Sequence, residues 1–144
     1  MKVSNVLDVK GNDVFTVRPD VTIDMLAHKL RALHVGAIVV SSDGNTVEGI
    51  ISERDVAYGL AEYGAELLNR KVSDLMTTSV VTCTRESTIA DLMKLMTHRR
   101  IRHLPVVENG KLVGVISIGD IVRHRVAEIQ LEADVMRDYA ISRQ

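Results

Sequence analysis

Two copies of a Ser-x-x-Asp tetrapeptide have the clearest capacity for chemistry in this chain of 144 residues. Ser52 precedes Asp55, and Ser117 precedes Asp120 at the same spacing. A serine at such a position caps a helix N-terminus, and an acidic residue in the first turn interacts favourably with the helix dipole. The same carboxylate can accept hydrogen bonds from two neighbouring hydroxyls of a sugar, while the helix N-terminus and the serine face an anion. The two interpretations are compatible.

Basic residues that could neutralise an anion are unevenly distributed between the two copies. The second copy has Arg102 and His103 in the turn whose counterpart in the first copy, residues 35–37, reads Val-Gly-Ala. Arg54 directly precedes the aspartate of the first motif, and glycine takes its place in the second. A guanidinium group can bind two phosphate oxygens at once, so these arginines are candidate phosphate ligands. A solvated helix end, where cations are favourable, is the preferred interpretation of the adjacent Arg99 and Arg100.

Residues for metal binding or covalent catalysis show no recognisable pattern. The five histidines do not combine with Asp or Glu at metal-ligand spacing. Cys83, the single cysteine, closes a β-branched run without a base partner and is interpreted as a small core residue. The sequence contains no GxGxxG fingerprint, Walker loop or Gly-x-Ser-x-Gly elbow. We therefore expect no catalytic residue, no metal site and no enzymatic activity.

The candidate residues belong to a duplicated sequence. Residues 14–23 (VFTVRPDVTI) match residues 80–89 (VVTCTRESTI) at an offset of 66, and residues 49–55 (GIISERD) match residues 114–120 (GVISIGD) at an offset of 65. The lead-in segments KVSNVL and KVSDLM also match. Such a repeat predicts two copies of one structural unit.

Each copy is predicted to have the element order β-α-β-β-α. Thr22 and Thr88 are expected to cap the helix that follows the first strand, since apolar residues recur at helical spacing after each. The dipeptides at 43–44 (Asp-Gly) and 109–110 (Asn-Gly) predict hairpin turns because they supply positive φ angles. The final helices should begin at the serines of the two motifs. The predicted strands are 14–17, 37–40 and 47–51 in the first copy and 80–83, 104–107 and 112–116 in the second.

The last helix is expected to continue past the second copy, because neither Gly nor Pro follows Asp120. Its apolar residues alternate at spacings of four and three, which is typical of a helix seam. This stripe either packs back onto its own module or pairs with a second chain, and we expect a homodimer to which it contributes. The stripe consists of Val122, Val126, Ile129, Ala133, Met136 and Ala140.

Bulk composition narrows the class of partners. A net charge of −1 provides no overall field for nucleic acid or an anionic membrane, so an anion site must be local. No run of about 18 apolar residues could span a bilayer, and the N-terminus does not resemble a secretion signal. We therefore expect a cytoplasmic protein that binds neither nucleic acid nor membrane.

Two β-α-β-β-α units, each ending in Gly-φ-φ-Ser-x-x-Asp (φ being apolar), resemble a tandem pair of CBS motifs, or Bateman module. Residues 104–107 (LPVV), before the second hairpin, also fit that pattern. The resemblance covers roughly residues 2–125 and implies an α/β (α+β) fold with the two motifs related by pseudo-twofold symmetry. It divides the chain into a first motif at 1–68, a second at 69–125 and a helical extension at 126–144. Members of this family bind AMP, ATP, ADP, NAD or S-adenosylmethionine between the motifs, usually as regulatory modules.

The resemblance also implies roles for individual residues. The two Ser-Asp pairs would hold the ribose, Arg54, Arg102 and His103 would contact phosphate, and adenine would lie near Val80 and the turn before Pro105. Because sites of this family draw on both units, we expect Arg54 and Arg102 to enter the cleft that holds Asp120. The cleft that holds Asp55 would face Gly119 instead. The Asp120 site should then bind a phosphorylated ligand more tightly.

These features predict a sensor that binds AMP, ATP or NAD and signals through its conformation or dimer geometry to an unidentified protein. A structural or protein-interaction module without a physiological ligand is the alternative.

Overall fold

The computed structural model describes residues 1–11 and 13–143, so Asn12 and Gln144, the last residue of the predicted helical extension, lie outside the described residues. Helices and small sheets alternate along the chain, which confirms the expected α+β fold. The first copy contains α1 (Val3–Lys10), β1 (Thr16–Val17), α2 (Ile23–Leu33), β2 (Ala37–Val40), β3 (Gly49–Ser52) and α3 (Glu53–Tyr63), followed by a 3₁₀ turn (Gly64–Asn69). The second contains α4 (Val72–Leu75), α5 (Ile89–Arg99), β4 (His103–Glu108), β5 (Lys111–Ser117) and α6 (Ile118–Ser142).

The sheets of the two copies differ in their first strand. In the first copy β1 pairs in parallel with β2, which pairs antiparallel with β3. In the second copy β4 and β5 form an antiparallel pair, but the strand predicted at 80–83 is reduced to a single bridge between Cys83 and Val106. That prediction was too long, because the residues just before the bridge line a cleft between the copies instead of pairing with a strand.

One of the two predicted hairpin turns is confirmed. Asn109 and Gly110 have φ angles of 51° and 76° and join β4 directly to β5. The tight turn predicted at Asp43-Gly44 is wrong, since β2 ends at Val40 and β3 begins only at Gly49. The carboxylate of Asp43 folds this longer loop around itself, accepting hydrogen bonds from the backbone N–H groups of its second and third neighbours at 2.8 and 2.7 Å.

The predicted helix caps are all present. The hydroxyl of Thr22 accepts a hydrogen bond from the N–H of Met25, and the hydroxyl of Thr88 accepts one from the N–H of Asp91. Ser52 caps α3 and Ser117 caps α6. The apolar faces of α2 and α5 pack into the cores of the two copies, where Leu26, Leu30 and Leu92 are buried.

The lead-in helices, which the sequence did not predict, are exchanged between the copies. The N–H of Val3 in α1 donates to the carbonyl of Ser87, and the N–H of Val72 in α4 donates to the carbonyl of Val21. Val3, Val6 and Leu7 are buried in the core of the second copy, whereas Val72 is buried in the core of the first. Each copy therefore completes the core of the other, which holds the two together around a pseudo-twofold axis.

The long helix α6 leaves the body of the protein after its first turns. Asp120 and Ile121 are buried, but Val126, Ile129 and Met136 are 60, 50 and 69% exposed. The predicted apolar stripe therefore does not pack back onto its own module. Throughout 1–11 and 13–143, no helix is both long enough and apolar enough to cross a membrane.

Candidate functional site

A cleft of about 280 Å³ lies between the two copies. The first copy contributes the end of β3, the first turn of α3 and the start of β2. The second contributes the segment before the Cys83 bridge and the turn between α5 and β4. The lining residues are Gly36, Ala37, Ile50, Ser52, Glu53, Arg54, Asp55, Thr77, Ser79, Val80, Val81, Arg100, Ile101, Arg102 and His103.

Asp55 presents a carboxylate to this cleft at the N-terminus of α3. One of its oxygens, Oδ2, accepts hydrogen bonds from the backbone N–H of Ser52 at 2.8 Å and from the hydroxyl of Ser52 at 3.1 Å. Among the described residues no cation pairs with it. The half-buried carboxylate therefore retains acceptor capacity for a ligand with two adjacent hydroxyls.

Three arginines line the same cleft. Arg54 of the first copy donates from Nη1 to the backbone carbonyl of Arg100 in the second, at 3.1 Å. Arg102 follows on the same turn and is exposed. Within the part of the chain that the structure describes, no carboxylate lies at salt-bridge distance from any of the three guanidinium groups. Three arginines and two carboxylates, those of Glu53 and Asp55, thus line the cleft, which leaves its lining with a net positive charge.

Arg100 lines the cleft, although the sequence did not mark it as a site residue. It is exposed at the end of α5, as expected of a solvated helix end, and it adopts the left-handed conformation there, with φ of 56°. The chain reverses there, so Arg100 and the residues after it line the cleft. The matching residue of the first copy, His34, has φ of 54°. Both copies therefore end a helix at this position with a left-handed residue, but neither residue is the glycine that commonly ends a helix in this way.

His103 is half-buried and packs against the first copy. A Cβ added to Gly36 would lie 3.3 Å from its Cε1 atom. Burial lowers the pKa of His103 below its ordinary value, and the positive charge of Lys10 lowers it further. His103 therefore acts at neutral pH as an uncharged imidazole, while the positive charge of the cleft comes from arginine.

An apolar wall completes the cleft, consisting of Ile50, Val80, Val81 and Ile101 together with Ala37. Val80 lies in this wall, and its role beside an adenine base stays a prediction. Pro105 is not among the lining residues. It is buried in β4, where its carbonyl accepts the N–H of Cys83 at 3.0 Å.

The expected grouping of Arg54 and Arg102 with Asp120 is wrong. Both arginines line the cleft that holds Asp55, because the turn between α5 and β4 faces the first turn of α3. Asp120 is 7% exposed and lines a separate groove between α1 and α6. The expectation that the Asp120 site is the better anion site therefore loses its basis.

The carboxylate of Asp120 is occupied by cations of this chain. Oδ2 accepts from Nζ of Lys10 at 2.7 Å and from the backbone N–H of Ser117 at 2.9 Å, and Oδ1 accepts from Nη2 of Arg123 at 2.5 Å. Burial by itself raises the pKa of Asp120, but the hydrogen bonds from Lys10 and Ser117 and the charge of Lys10 outweigh it and hold the pKa below its ordinary value. Asp120 is thus a paired, ionised group.

Metal and thiol chemistry find no support in the geometry. Across residues 1–11 and 13–143, no three His, Cys, Asp or Glu side chains are placed to hold a metal ion. Cys83 is buried, and burial raises the pKa of its thiol to about 11. The thiol is therefore protonated at neutral pH and unreactive as a nucleophile.

One family model and a plant relative both match large parts of this chain. The family model described as "CBS domain" matches the chain twice, at residues 6–62 and 72–127. The CBS domain-containing protein CBSX3, mitochondrial, of Arabidopsis thaliana is 38% identical over 110 residues, which are 74% of this chain and 53% of the plant protein. The chain thus spans about half the length of that relative.

Solved structures share the architecture. The crystal structure of the CBS-domain containing protein ATU1752 from Agrobacterium tumefaciens superimposes with a TM-score of 0.84 at 49% identity, covering 87% of this chain and 99% of that one. The CBS domain pair of protein MJ0100, in complex with 5′-methylthioadenosine and S-adenosyl-L-methionine, superimposes with a TM-score of 0.75 at 23% identity, covering 85% of this chain and 98% of that one.

Proposed function

The chain belongs to the CBS domain family, and we propose that it is a regulatory module that binds an adenine nucleotide in the cleft between its two motifs. The observation that carries the proposal is the meeting of three features in one cleft. An aspartate with unused acceptor capacity, unneutralised arginines from both copies and an apolar wall lie around the same space. These features match the sugar, the phosphate and the base of a nucleotide.

Each part of the proposed ligand contacts a different part of the cleft. Asp55 accepts hydrogen bonds from the two ribose hydroxyls, with the N-terminus of α3 behind it. Arg54, Arg100 and Arg102 bind the phosphates. The base lies against Val80 and its neighbours, where apolar surface is available for it. AMP, ATP and NAD all carry these groups, and the adenosine ligands bound to MJ0100 support an adenine base.

Ligand occupancy would be transmitted because the cleft draws on both copies. Bound phosphate would hold Arg54 and Arg102 together across the boundary between the copies. The backbone carbonyl of Arg102 accepts the N–H of Ile118, the first residue of α6, at 2.9 Å. A shift of this turn on binding would therefore move the start of α6, and a ligand that favours one arrangement shifts the population toward it.

The exposed stripe of α6 supports a homodimer. In such a dimer, a movement of α6 on ligand binding would change the geometry between the two chains. The helix has 25 residues, of which the first turns are packed and the rest project outward. Pairing two such stripes would bury Val126, Ile129 and Met136, which are exposed in the single chain. Ile129→Asp should convert the dimer to a monomer in multi-angle light scattering, whereas Glu132→Asp, outside the stripe, should not. A wild-type monomer at micromolar concentration contradicts the dimer and leaves the nucleotide cleft unaffected.

Calorimetry and thermal unfolding with AMP, ATP, NAD and GTP test the nucleotide proposal. A ligand present at about 100 times its Kd should stabilise the fold by about 2.7 kcal/mol. Asp55→Ala should remove most of this stabilisation, because the ribose hydroxyls lose their acceptor. Asp91→Ala is the matched control, since Asp91 occupies the same helix position in α5, behind the cap Thr88, and lies outside the cleft.

Two outcomes would contradict the proposal. If no adenine nucleotide shifts the unfolding temperature, the alternative of a structural or interaction module without a ligand is favoured. If the nucleotides are converted to products during incubation, as measured by chromatography, the chain has an enzymatic activity that the regulatory assignment does not include.

A further inference from the structure

The apolar stripe of α6 can pair with the stripe of a second copy in two directions. Val122, Val126, Ile129 and Met136 are 51, 60, 50 and 69% exposed in the single chain. A parallel pair places each stripe residue opposite its own counterpart. An antiparallel pair, centred at position 131, places Ile129 opposite Ala133 and Val126 opposite Met136. The apolar residues therefore do not decide the direction.

The residues that flank the stripe do decide it, because charges at these positions set the orientation of paired helices. One flank consists of Arg125, Glu132 and Tyr139, and the other consists of Arg123, Gln130 and Arg137. In a parallel pair, each flank faces the opposite flank of the partner. Glu132 then lies beside the partner's Arg137, and Arg125 lies beside a neutral glutamine. The parallel arrangement thus contains two attractive charge pairs, one for each chain.

The antiparallel arrangement brings like charges together, since each flank then faces the same flank of the partner. Glu132 would lie beside the partner's Glu132, and Arg123 would lie beside the partner's Arg137. Like charges facing each other across an interface oppose association. The charge pattern of α6 therefore favours the parallel direction.

Both members of the attractive pair are available to a second chain. Glu132 is exposed, and within residues 1–11 and 13–143 no cation lies at salt-bridge distance from it. The side chain of Arg137 is 66% exposed and lies 3.5 Å from Asp134 of its own helix. An exposed pair of this kind contributes little to stability, so the guanidinium group can also bind a carboxylate of the partner.

We propose that α6 pairs in parallel and in register with α6 of a second copy, with Glu132 of each chain bound to the partner's Arg137. This inference rests on the homodimer proposed above and adds its direction. Both helices then begin at the same end of the pair. Because Ile118, the first residue of α6, donates to the carbonyl of Arg102 at 2.9 Å, both Arg102 turns lie at that end. An antiparallel pair would separate them by about 37 Å, the length of a helix of 25 residues.

Charge reversal tests the direction, with dimer dissociation measured by sedimentation velocity over a dilution series of the full chain. Glu132→Arg and Arg137→Glu should each weaken the dimer about tenfold, because each change places like charges opposite one another in both chains. The double variant Glu132→Arg/Arg137→Glu restores the attraction and should dimerise like the wild type. Asp138→Arg is the matched control, since Asp138 lies on the side of α6 away from the stripe.

Disulfide cross-linking provides an independent measurement. Parallel helices in register place position 133 of the two chains face to face, at a separation that a disulfide can span. Ala133→Cys should therefore give a covalent dimer on mild oxidation, whereas Asp138→Cys should not. The native Cys83 is buried and does not interfere.

The outcomes separate the direction of the dimer from its existence. An unchanged dimer in Glu132→Arg, or a tighter one in Arg137→Glu, would mean antiparallel helices and refute the parallel pairing. Cross-linking that appears only when Ile129→Cys and Ala133→Cys are mixed would refute it too, and the homodimer would stand in each case. If the wild type is a monomer at every concentration, the homodimer fails and the parallel pairing fails with it, while the nucleotide cleft is unaffected.

Discussion

Replacing Asp120 by Asn should destabilise the protein far more than the same change at Asp55, although both residues occupy the third position of a capped helix. Asp120 accepts charged hydrogen bonds from Lys10 and Arg123, and such bonds contribute about 1.5 to 3 kcal/mol each. The two cationic side chains are 37 and 73% exposed, so solvent screening reduces the sum. A loss of about 2 kcal/mol is the reasonable magnitude for the pair.

Asp55 provides the internal comparison. Its carboxylate accepts only from Ser52 among the described residues, so Asp55→Asn removes little beyond the interaction of the charge with the helix dipole. That interaction contributes about 0.3 to 1 kcal/mol. For a chain of this size about 1 kcal/mol corresponds to roughly 3 °C. Unfolding temperatures should therefore fall by about 6 °C for Asp120→Asn and by about 2 °C for Asp55→Asn.

The pH dependence gives the same reasoning a second test. The folded protein holds the pKa of Asp120 below its ordinary value, so this carboxylate contributes stability above the unfolded-state pKa of about 3.9. That contribution is lost as the pH falls through the lower, folded-state pKa. In urea unfolding, the difference between wild type and Asp120→Asn should be largest near pH 7 and shrink in acid. Equal destabilisation by the two Asn variants at pH 7, or a difference that is unchanged in strong acid, would refute this account of Asp120.

Three further predictions concern the cleft and its supports. Arg102→Ala should weaken AMP binding about tenfold in calorimetry and leave the affinity for adenosine nearly unchanged, because only the phosphate contact is lost. Equal losses of affinity for both ligands would contradict this role. Burial lowers the pKa of His103, so as the pH falls the unfolded chain takes up a proton near pH 6.5 before the folded chain does. The free energy of unfolding therefore decreases below that pH. His103→Gln should reduce this decrease when urea titrations at pH 7 and 5.5 are compared. Gly49→Ala should lower the free energy of unfolding by about 1 to 3 kcal/mol. The added Cβ would lie 2.8 Å from the sulfur of Met76 and 3.0 Å from the carbonyl oxygen of Thr77. Calorimetric unfolding would measure this loss of stability.

The parts of the fold that the sequence predicted are those decided within a few residues. The caps at Thr22 and Thr88 and the turn at Asn109-Gly110 depend on side chains and φ angles at the positions themselves. The prediction at Asp43-Gly44 failed because a competing local interaction, the bonds accepted by the Asp43 carboxylate, gives a longer loop. Caps and turns were therefore predicted correctly only where no neighbouring polar side chain offered the backbone N–H groups another hydrogen-bond acceptor.

The grouping of the site residues depends on contacts between the copies, which the repeat pattern does not specify. The sequence predicted that Arg54 and Arg102, from different copies, enter one cleft, but it joined both of them to Asp120 instead of Asp55. Which aspartate faces the turn between α5 and β4 is set by the path of the chain around the pseudo-twofold axis. The role of Lys10 was equally hidden, since its partner Asp120 lies 110 residues away and the length of α1 decides whether the two meet.

The turns that precede β2 and β4 are bonded to helices of different length. The first turn of α3 would hold the ribose, whereas the phosphate would be held by Arg54 of that turn together with Arg100 and Arg102 of the other copy. The carbonyl of Gly36 accepts the N–H of Glu53 in the first copy, as that of Arg102 accepts the N–H of Ile118 in the second. The helix α3 ends after 11 residues within the body of the protein, whereas α6 runs for 25 and projects from it. Because the Arg102 turn is bonded to the long helix and the Gly36 turn is bonded to the short one, the phosphate of a bound nucleotide would be the part that α6 detects.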